Sequence, residues 1–283
     1  MKTEKKYELT DETIEIDGHV LHRIRAVRDF TLNDGTEIKK GDLGGFLEKE
    51  DNLSHEGNCW VYDNAKVFSD ACVYGNAQVF NNAWVAGDAH VHMRARIFED
   101  AHVTGDASVC DSASVHGKAY IYGSAAIQNN AHVSGDVTVC DIARIYDNAW
   151  VSGYANIFGD VRICGRAVVD GCVRAFDSVR ICGYAHLCGQ LDMIGATVIC
   201  GDAYIRSMDD YCTIQGIGSK HRPTTFFNTS KEDGKYEVSV KCGCFNGTLA
   251  EFEDRVKMTH GDNKYAKEYL LAIELAKAHF DIA

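Results

Sequence analysis

The sequence contains a single proline, Pro223, among 283 residues. Proline cannot donate a backbone hydrogen bond, so its scarcity is typical of a chain whose backbone groups are mostly engaged in sheet ladders. Long apolar runs are also missing, and without a stretch of roughly 18 apolar residues we predict no membrane-spanning helix. The segment 1–16 lacks the apolar core of a secretory signal, so we expect a cytoplasmic protein.

Positive charge is also in short supply. The 29 Lys and Arg residues are outnumbered by 41 Asp and Glu residues, which gives a net charge of −12. This balance argues against a protein that binds nucleic acid directly and against a basic protein of membrane surfaces. It leaves open an acidic surface that imitates DNA and competes for the basic groove of another protein.

Cysteine, in contrast, is plentiful, with 12 residues, nine of them between Cys59 and Cys200. In a small secreted chain this number would predict disulfides. Here there is no signal segment, and the cysteines fall where a small residue is wanted, so we expect reduced thiols. We predict no metal site and no cofactor, because the Cys-x-Cys pair Cys242 and Cys244 is a weak signal by itself.

A six-residue repeat runs from Gly57 to about Arg206. An aliphatic residue recurs at 25 consecutive positions from Val61 to Ile205, and only Ala175 and Met193 depart from Val, Ile or Leu. A small residue, usually Ala, precedes each aliphatic residue by two positions, and Gly, Asn or Asp follows it. Internal repetition of this regularity predicts a solenoid.

The repeat has a simple physical interpretation. Apolar residues at alternate positions are typical of a short strand with one buried face, and the Gly, Asn and Asp residues tolerate the positive φ of a sharp turn. Three hexads then close one coil of 18 residues, and the repeat supplies about eight coils at the usual strand spacing of about 4.8 Å. We therefore predict a mainly β protein built on a parallel β-helix with three sides. The pattern does not determine handedness, and the general rule for parallel crossovers favours right-handed winding.

The repeat is flanked by segments of different character. Residues 1–56 predict a small β cap with hairpins at Asp17-Gly18 and around Gly35. Residues 207–283 predict an α+β module, in which strands near 224–227 and 236–240 are joined by 231–234. A capping box at Thr248 and Glu251 then predicts a helix, and a second helix follows. We thus expect three domains, 1–56, 57–206 and 207–283.

One predicted side of the coil carries stacked arginines, Arg144, Arg162 and Arg180, beside stacked cysteines, Cys164, Cys182 and Cys200. Like charges about 4.8 Å apart repel unless anions neutralise them. The anions could be turn residues of the chain itself, such as Asp147, Asp160 and Asp177. Alternatively, the arginines could recognise a phosphate, a carboxylate or an acidic partner segment.

The stretch 216–225 is the second candidate site, because it is rich in donor groups. The candidate ligand-binding residues there are Ser219, Lys220, His221, Arg222 and Thr224. The alternative interpretation is an ordinary surface loop.

The repeat resembles that of hexapeptide-repeat acyltransferases, which implies a left-handed β-helix. The resemblance further implies a trimer that uses coenzyme A or an acyl carrier protein, with a histidine as catalytic base. This sequence has no insertion in its 25 hexads, whereas that family builds its site with an inserted loop. Six histidines are predicted to point outward, but none lies in a motif of the family: His90, His92, His102, His116, His132 and His186.

Nearly the whole chain is also similar to uncharacterised hexapeptide-repeat proteins of phages and prophages. The segments 41–46 and 52–61 resemble their entry into the helix, and 216–227 and 242–248 resemble their closing module. That resemblance implies a phage-encoded protein in the host cytoplasm but supplies no activity.

Our first hypothesis is a non-catalytic binding or scaffold protein that engages a host protein or a small anionic ligand. The alternatives are a coenzyme A-dependent acyltransferase and a DNA-mimicking inhibitor. We expect a dimer or trimer, since outward aromatic residues favour covering caps or a symmetric partner.

Overall fold

The computed structural model describes residues 4–230 and 236–282, and it begins with an antiparallel hairpin. Strands β1 (Tyr7–Ile16) and β2 (His19–Ala26) meet at the predicted turn, where Asp17 and Gly18 have φ values of 51° and 85°. A second predicted hairpin joins β3 (Phe30–Thr31) to β4 (Glu37–Ile38). Both hairpin predictions are therefore confirmed.

The strand that follows, β5 (Leu43–Leu47), connects the hairpin to the repeat. It pairs antiparallel with β2 and parallel with the strand formed by Lys66–Val67. Gly44 and Gly45 are needed here, because a Cβ atom would lie 2.6 Å from the Val61 carbonyl oxygen and 2.5 Å from that of Ala65, respectively. The glycines therefore permit close packing of β5 on the first coil, and a 3-10 helix follows at Glu50–Asn52.

The predicted hexads each form one short strand, and most of these strands are two residues long. They are β6 Trp60–Val61, β7 Lys66–Val67, β8 Cys72–Val73, β9 Gln78–Val79, β10 Trp84–Val85, β11 His90–Val91, β12 Arg96–Ile97, β13 His102–Val103, β14 Ser108–Val109, β15 Ser114–Val115, β16 Tyr120–Ile121, β17 Ala126–Ile127, β18 His132–Val133, β19 Thr138–Val139, β20 Arg144–Ile145, β21 Trp150–Val151, β22 Asn156–Ile157, β23 Arg162–Ile163, β24 Val168–Val169, β25 Cys172–Ala175, β26 Arg180–Ile181, β27 His186–Leu187, β28 Gln190–Met193, β29 Val198–Ile199 and β30 Tyr204–Ile205.

Each strand pairs in parallel with the third strand after it, 18 residues further along the chain. These strands fall into three sheets. One sheet has nine strands, from β6 to β30, and another has eight, from β8 to β29. The third has eleven strands, because it includes β1, β2 and β5 in addition to strands of the repeat. The chain is therefore a parallel solenoid of about nine turns, one more than the sequence suggested, because β5 adds a strand ahead of the repeat. The parallel pairing thus begins inside the segment that we expected to be a cap.

The interior of the solenoid is filled by the two apolar positions of each hexad. The aliphatic residues from Val61 to Ile205 are 0–1% exposed, and so are the alanines that precede them. The turns are held by a second kind of contact, in which an acidic or amide side chain accepts from the backbone of the next coil. Asp63 Oδ2, for example, accepts from the Asn81 N–H at 3.1 Å, and Glu99 Oε2 accepts from the Gly117 N–H at 2.8 Å.

Aromatic side chains at the start of the solenoid are covered by the hairpin. Trp60 is fully buried and makes edge contacts with the rings of Tyr7 and Phe30. Phe68 packs with Leu21 of β2. This arrangement agrees with the expectation that terminal segments cover outward aromatic residues.

The carboxyl-terminal segment forms a four-stranded antiparallel sheet backed by two helices. After a 3-10 helix at Met208–Asp210, the elements are β31 Tyr211–Ile214, β32 Thr224–Ser230, β33 Tyr236–Cys242, β34 Phe245–Thr248, α1 Leu249–His260 and α2 Lys264–His279. The capping box is present, since Thr248 Oγ1 accepts from the Glu251 N–H at 3.3 Å, and Asn263 caps α2. The predicted connection 231–234 lies outside the described residues.

One face of this sheet packs on the helices and the other closes the solenoid. Phe226, Val238 and Val240 join the helices in one core. On the opposite face, Thr225 Oγ1 accepts from the Val198 N–H at 3.2 Å, so a donor at the edge of β29 is satisfied. An uncovered strand edge would invite pairing with other chains, and this sheet covers it. Among the described residues, no helix has the length and apolar character needed to cross a membrane.

Candidate functional site

The three predicted arginines lie on consecutive strands of the eight-stranded sheet. Arg144 pairs in register with Arg162, and Arg162 pairs in register with Arg180. We call these residues the arginine column. Their side chains point away from the core, because Ile145, Ile163 and Ile181 occupy the inward positions.

The turn carboxylates neutralise only part of the arginine column. Asp160 pairs with Arg162, with Nε 3.2 Å from Oδ1. Asp147 and Asp177 bond to the backbone instead, accepting from the Gly165 and Gly195 N–H groups at 3.0 and 3.1 Å. Arg144 and Arg180 therefore make no ion pair with any carboxylate in residues 4–230 and 236–282.

The candidate loop 216–225 is anchored against α2. The Gly218 N–H donates to Glu268 Oε2 at 2.7 Å, and His221 Nδ1 lies 3.0 Å from the Gly216 carbonyl oxygen. Ser219, Lys220 and His221 are exposed. Thr224 is fully buried, and its hydroxyl donates to Cys242 Sγ at 3.3 Å. These four predicted residues therefore do not line a common cavity with the arginine column.

Arg222 does reach the arginine column. It lines a groove of about 410 Å³ together with Arg180 and Lys241. Its guanidinium lies against Gly243, where an added Cβ would come within 2.8 Å of Arg222 Nη1. We call this cavity the basic groove. Its full lining is Ser178, Arg180, Ala196, Val198, Arg222, Pro223, Lys241 and Gly243.

The charge of the basic groove has one sign. Three of its lining residues are cationic, and none of them is acidic. The cations come from different elements, since Arg180 belongs to β26, Arg222 precedes β32, and Lys241 belongs to β33. The structure thus brings two of the predicted site residues together, one from each candidate region.

Sequence reasoning missed Lys241. The available signal was strand alternation in β33, where Val238 and Val240 are buried and Ser239 and Lys241 alternate with them. The pattern places Lys241 on the face away from the helices. It could not show that this face meets the eight-stranded sheet.

The outward histidines mostly stack on neighbouring rings. His92 stacks on Tyr74 with centroids 4.8 Å apart, and His116 stacks on Phe98 at 4.5 Å. Burial lowers the pKa of His92, His102 and His132. These rings are therefore neutral near pH 7 and could accept a proton, but their contacts are those of a packed surface.

A different histidine has the geometry of an oriented base. His19 Nδ1 lies 2.8 Å from Glu48 Oε1, and both side chains are about one-third exposed. A carboxylate in this position fixes the orientation of the ring. No local pattern in the sequence indicates this pair, because the two residues lie 29 positions apart. Within the described ranges, no group of three or more His, Cys, Asp and Glu side chains is arranged to hold a metal ion.

The comparisons with known proteins give one partial similarity. No protein-family profile matches the chain. The chain is similar to the uncharacterized acetyltransferase YdcK of Escherichia coli K12, at 36% identity over 76 residues, or 24% of this chain. It spans only 22% of that relative's length. The similarity is a weak relation to an acetyltransferase, and it gives no support to a phage origin.

Proposed function

We propose that this protein binds a small anionic ligand in the basic groove. The observation that carries the proposal is the meeting of Arg180, Arg222 and Lys241 around one cavity with no acidic residue in its lining. Three cations held close together repel one another, and an anion would relieve that repulsion. Arginine also offers a planar pair of donors that matches phosphate or carboxylate.

The charge of the site favours a phosphorylated ligand over a simple carboxylate. Near pH 7 a phosphate monoester carries close to two negative charges, whereas a carboxylate carries one. A cavity of about 410 Å³ lies within the usual range for small-molecule sites, near its lower end. The expected ligand is therefore a small phosphate monoester whose remaining part contacts the side chains of Ala196, Val198 and Pro223.

The test is calorimetric titration of the full chain with a panel of sugar and nucleoside monophosphates. Removing one charged hydrogen-bond partner should cost about 1.5–3 kcal/mol, so Arg180→Ala and Arg222→Ala should each weaken binding by about tenfold to a hundredfold. Arg144→Ala is the matched control, because it removes an arginine of the same column outside the groove. Equal ligand affinity in all three variants would contradict the proposal.

A second function is favoured by the comparison with the E. coli protein. In this alternative the chain is a coenzyme A-dependent acyltransferase, and His19, oriented by Glu48, is its base. The test is transfer of a labelled acetyl group from acetyl coenzyme A to a panel of amines and alcohols. Activity that His19→Gln abolishes would favour the enzyme, whereas a chain that neither binds coenzyme A nor transfers acetyl would exclude it.

We also propose the finer features that the sequence pattern and its family resemblances implied. These are left-handed winding with three sides, the division into 1–56, 57–206 and 207–283, a phage origin, and a cytoplasmic location.

An association into dimers or trimers is supported by the exposure of Trp150, Tyr154 and Tyr184, which are 46%, 62% and 61% exposed. Native mass spectrometry would establish the assembly directly.

A further inference from the structure

The cysteines beside the arginine column form a continuous line of thiols. Cys164, Cys182 and Cys200 each follow a strand of the eight-stranded sheet by one residue, and we call them the thiol column. Backbone hydrogen bonds of 2.9 Å hold them in line, from the Cys164 N–H to the Ile181 carbonyl and from the Cys182 N–H to the Ile199 carbonyl. Neighbouring thiols of the column are close enough to change each other's pKa.

The last thiol of the column lies where the solenoid meets the carboxyl-terminal sheet. Cys200 lines a cleft of about 250 Å³ together with Thr229, Ser239 and Asn246. The Asn246 side-chain oxygen is 3.4 Å from Cys200 Sγ, and a flip of this amide would direct its NH₂ group to a thiolate. A small polar molecule can therefore approach Cys200 through the cleft, although only 7% of the residue is exposed.

The three thiols of the column differ in pKa because their surroundings differ. The contact with Cys182 and the charge of Lys241 lower the pKa of Cys200 to about 7, and together they outweigh burial. The interaction with Cys164 lowers the pKa of Cys182, but the interaction with Cys200 and burial together outweigh it, so the pKa is raised. The contact with Cys182, followed by burial, raises the pKa of Cys164. The column thus places a thiol that ionises near pH 7 beside a thiol whose pKa is raised.

Another cysteine of the same sheet shows that burial does not produce this effect. Cys110 follows β14 as Cys200 follows β29, and it is 8% exposed. Burial and the neighbouring Asp111 raise the pKa of Cys110 to about 11. The difference between two equally buried thiols therefore arises from their neighbours, and principally from Cys182 and Lys241.

We propose that Cys200 and Cys182 are a peroxide-oxidised thiol pair that closes to a disulfide. In the first step, the Cys200 thiolate attacks one oxygen of hydrogen peroxide, the O–O bond breaks, and hydroxide leaves, so that Cys200 becomes a sulfenic acid. In the second step, the Cys182 sulfur attacks the Cys200 sulfur, the S–O bond breaks, and water leaves with the Cys182 proton. Two electrons pass from the thiols to one peroxide.

The geometry permits this bond and makes it easy to reduce. Neighbouring strands lie about 4.8 Å apart, which falls within the Cα separation that disulfides span. The Cβ atoms of side chains that point straight out from parallel strands are farther apart than the preferred distance of about 3.8 Å. The disulfide would therefore be strained, and strained disulfides are the labile ones that thiols reduce readily.

The experiment treats the reduced full-length chain with limiting hydrogen peroxide, blocks free thiols with N-ethylmaleimide and maps the peptides by mass spectrometry. We expect a Cys182–Cys200 disulfide before any modification of Cys110. In Cys182→Ser, the Cys200 sulfenic acid should persist and react with dimedone. Lys241→Met should slow the oxidation about tenfold, whereas Lys241→Arg should retain most of the rate. Dithiothreitol should restore both thiols.

The mapping of the unsubstituted chain tests the proposal even if a variant fails to fold. Oxidation of Cys200 no faster than Cys110 would overturn it, as would a first disulfide between Cys164 and Cys182. The proposal requires no ligand in the basic groove. Its test is therefore independent of the test of the proposed function.

Discussion

The eight-stranded sheet carries two different surfaces on one uniform core. Its early strands present rings, such as the stack of Tyr74 on His92, whereas its late strands present the arginine column and the thiol column. Beneath both surfaces the aliphatic and alanine side chains are equally buried. The comparison shows that the hexads determine the scaffold, and that chemistry arises where the last strands meet another element.

The largest effects should come from the core, and they should be equal in the early and the late half of the sheet. Val109 and Ile163 are both 0% exposed. Val109→Asp and Ile163→Asp each bury a carboxylate without a partner, which should reduce the free energy of unfolding by about 4 kcal/mol or more. Urea denaturation measures both, with Ser108→Asp as a control whose side chain points outward. A mild effect in only one half of the sheet would contradict the idea of a uniform core.

The two buried thiols should differ strongly in reactivity. The pKa of Cys200 is lowered to about 7 and that of Cys110 is raised to about 11, so at pH 8 one is mostly thiolate and the other almost entirely thiol. Alkylation of Cys200 by iodoacetamide should be at least about a hundredfold faster. Its rate should rise with a midpoint near pH 7 and then level off, whereas the rate at Cys110 should still be rising at pH 9.

Lys241 contributes to this difference after Cys182, and its charge can be removed separately. In Lys241→Met, loss of the positive charge should move the alkylation midpoint of Cys200 to higher pH, towards that of an ordinary thiol. The midpoint of Cys110 should not move, because Cys110 lies in another part of the sheet. If both midpoints moved together, the substitution would have loosened the whole fold rather than changed the local charge.

The position of Arg222 can be changed without removing its charge. A Cβ atom at Gly243 would lie 2.8 Å from Arg222 Nη1, so Gly243→Ala should displace the guanidinium and weaken binding of a phosphate monoester about tenfold. Gly216→Ala is the matched control. Both glycines have positive φ, but a Cβ at Gly216 would have no atom within 4 Å. Equal affinities in the two variants would mean that Arg222 does not hold the ligand.

The sequence predicts the solenoid and most of its flanking elements, because each depends on local rules. The hexads, the hairpin turn at Asp17-Gly18 and the capping box at Thr248 are all signals within a few residues. The sequence predicts one turn fewer than the structure has. The additional pairing, of β5 with β7, depends on packing around Gly44 and Gly45 rather than on the repeat.

The sequence predicts separate parts of the basic groove but not how they come together. Stacking within the solenoid predicts the arginine column, and donor-rich composition draws attention to Arg222. That these residues meet Lys241 depends on how the carboxyl-terminal sheet sits on the last coil, through contacts such as that of Thr225 with Val198. No periodicity in the sequence encodes such a contact. The same limit applies to Cys200, whose lowered pKa depends partly on Lys241.

The smallest effects should separate the members of the arginine column outside the groove. Arg162 has a partner in Asp160, so Arg162→Ala should lower the free energy of unfolding by no more than about 0.5 kcal/mol, as expected for an ion pair whose side chains are about one-third exposed. Arg144 has an arginine neighbour and no carboxylate partner in the described ranges, so Arg144→Ala should be neutral or stabilise by up to about 0.5 kcal/mol. High salt should erase both changes, since it screens attraction and repulsion alike. A clear loss of stability in Arg144→Ala at low salt would mean that an anion already bound there stabilises the free protein, and the search for the ligand would then extend along the whole column.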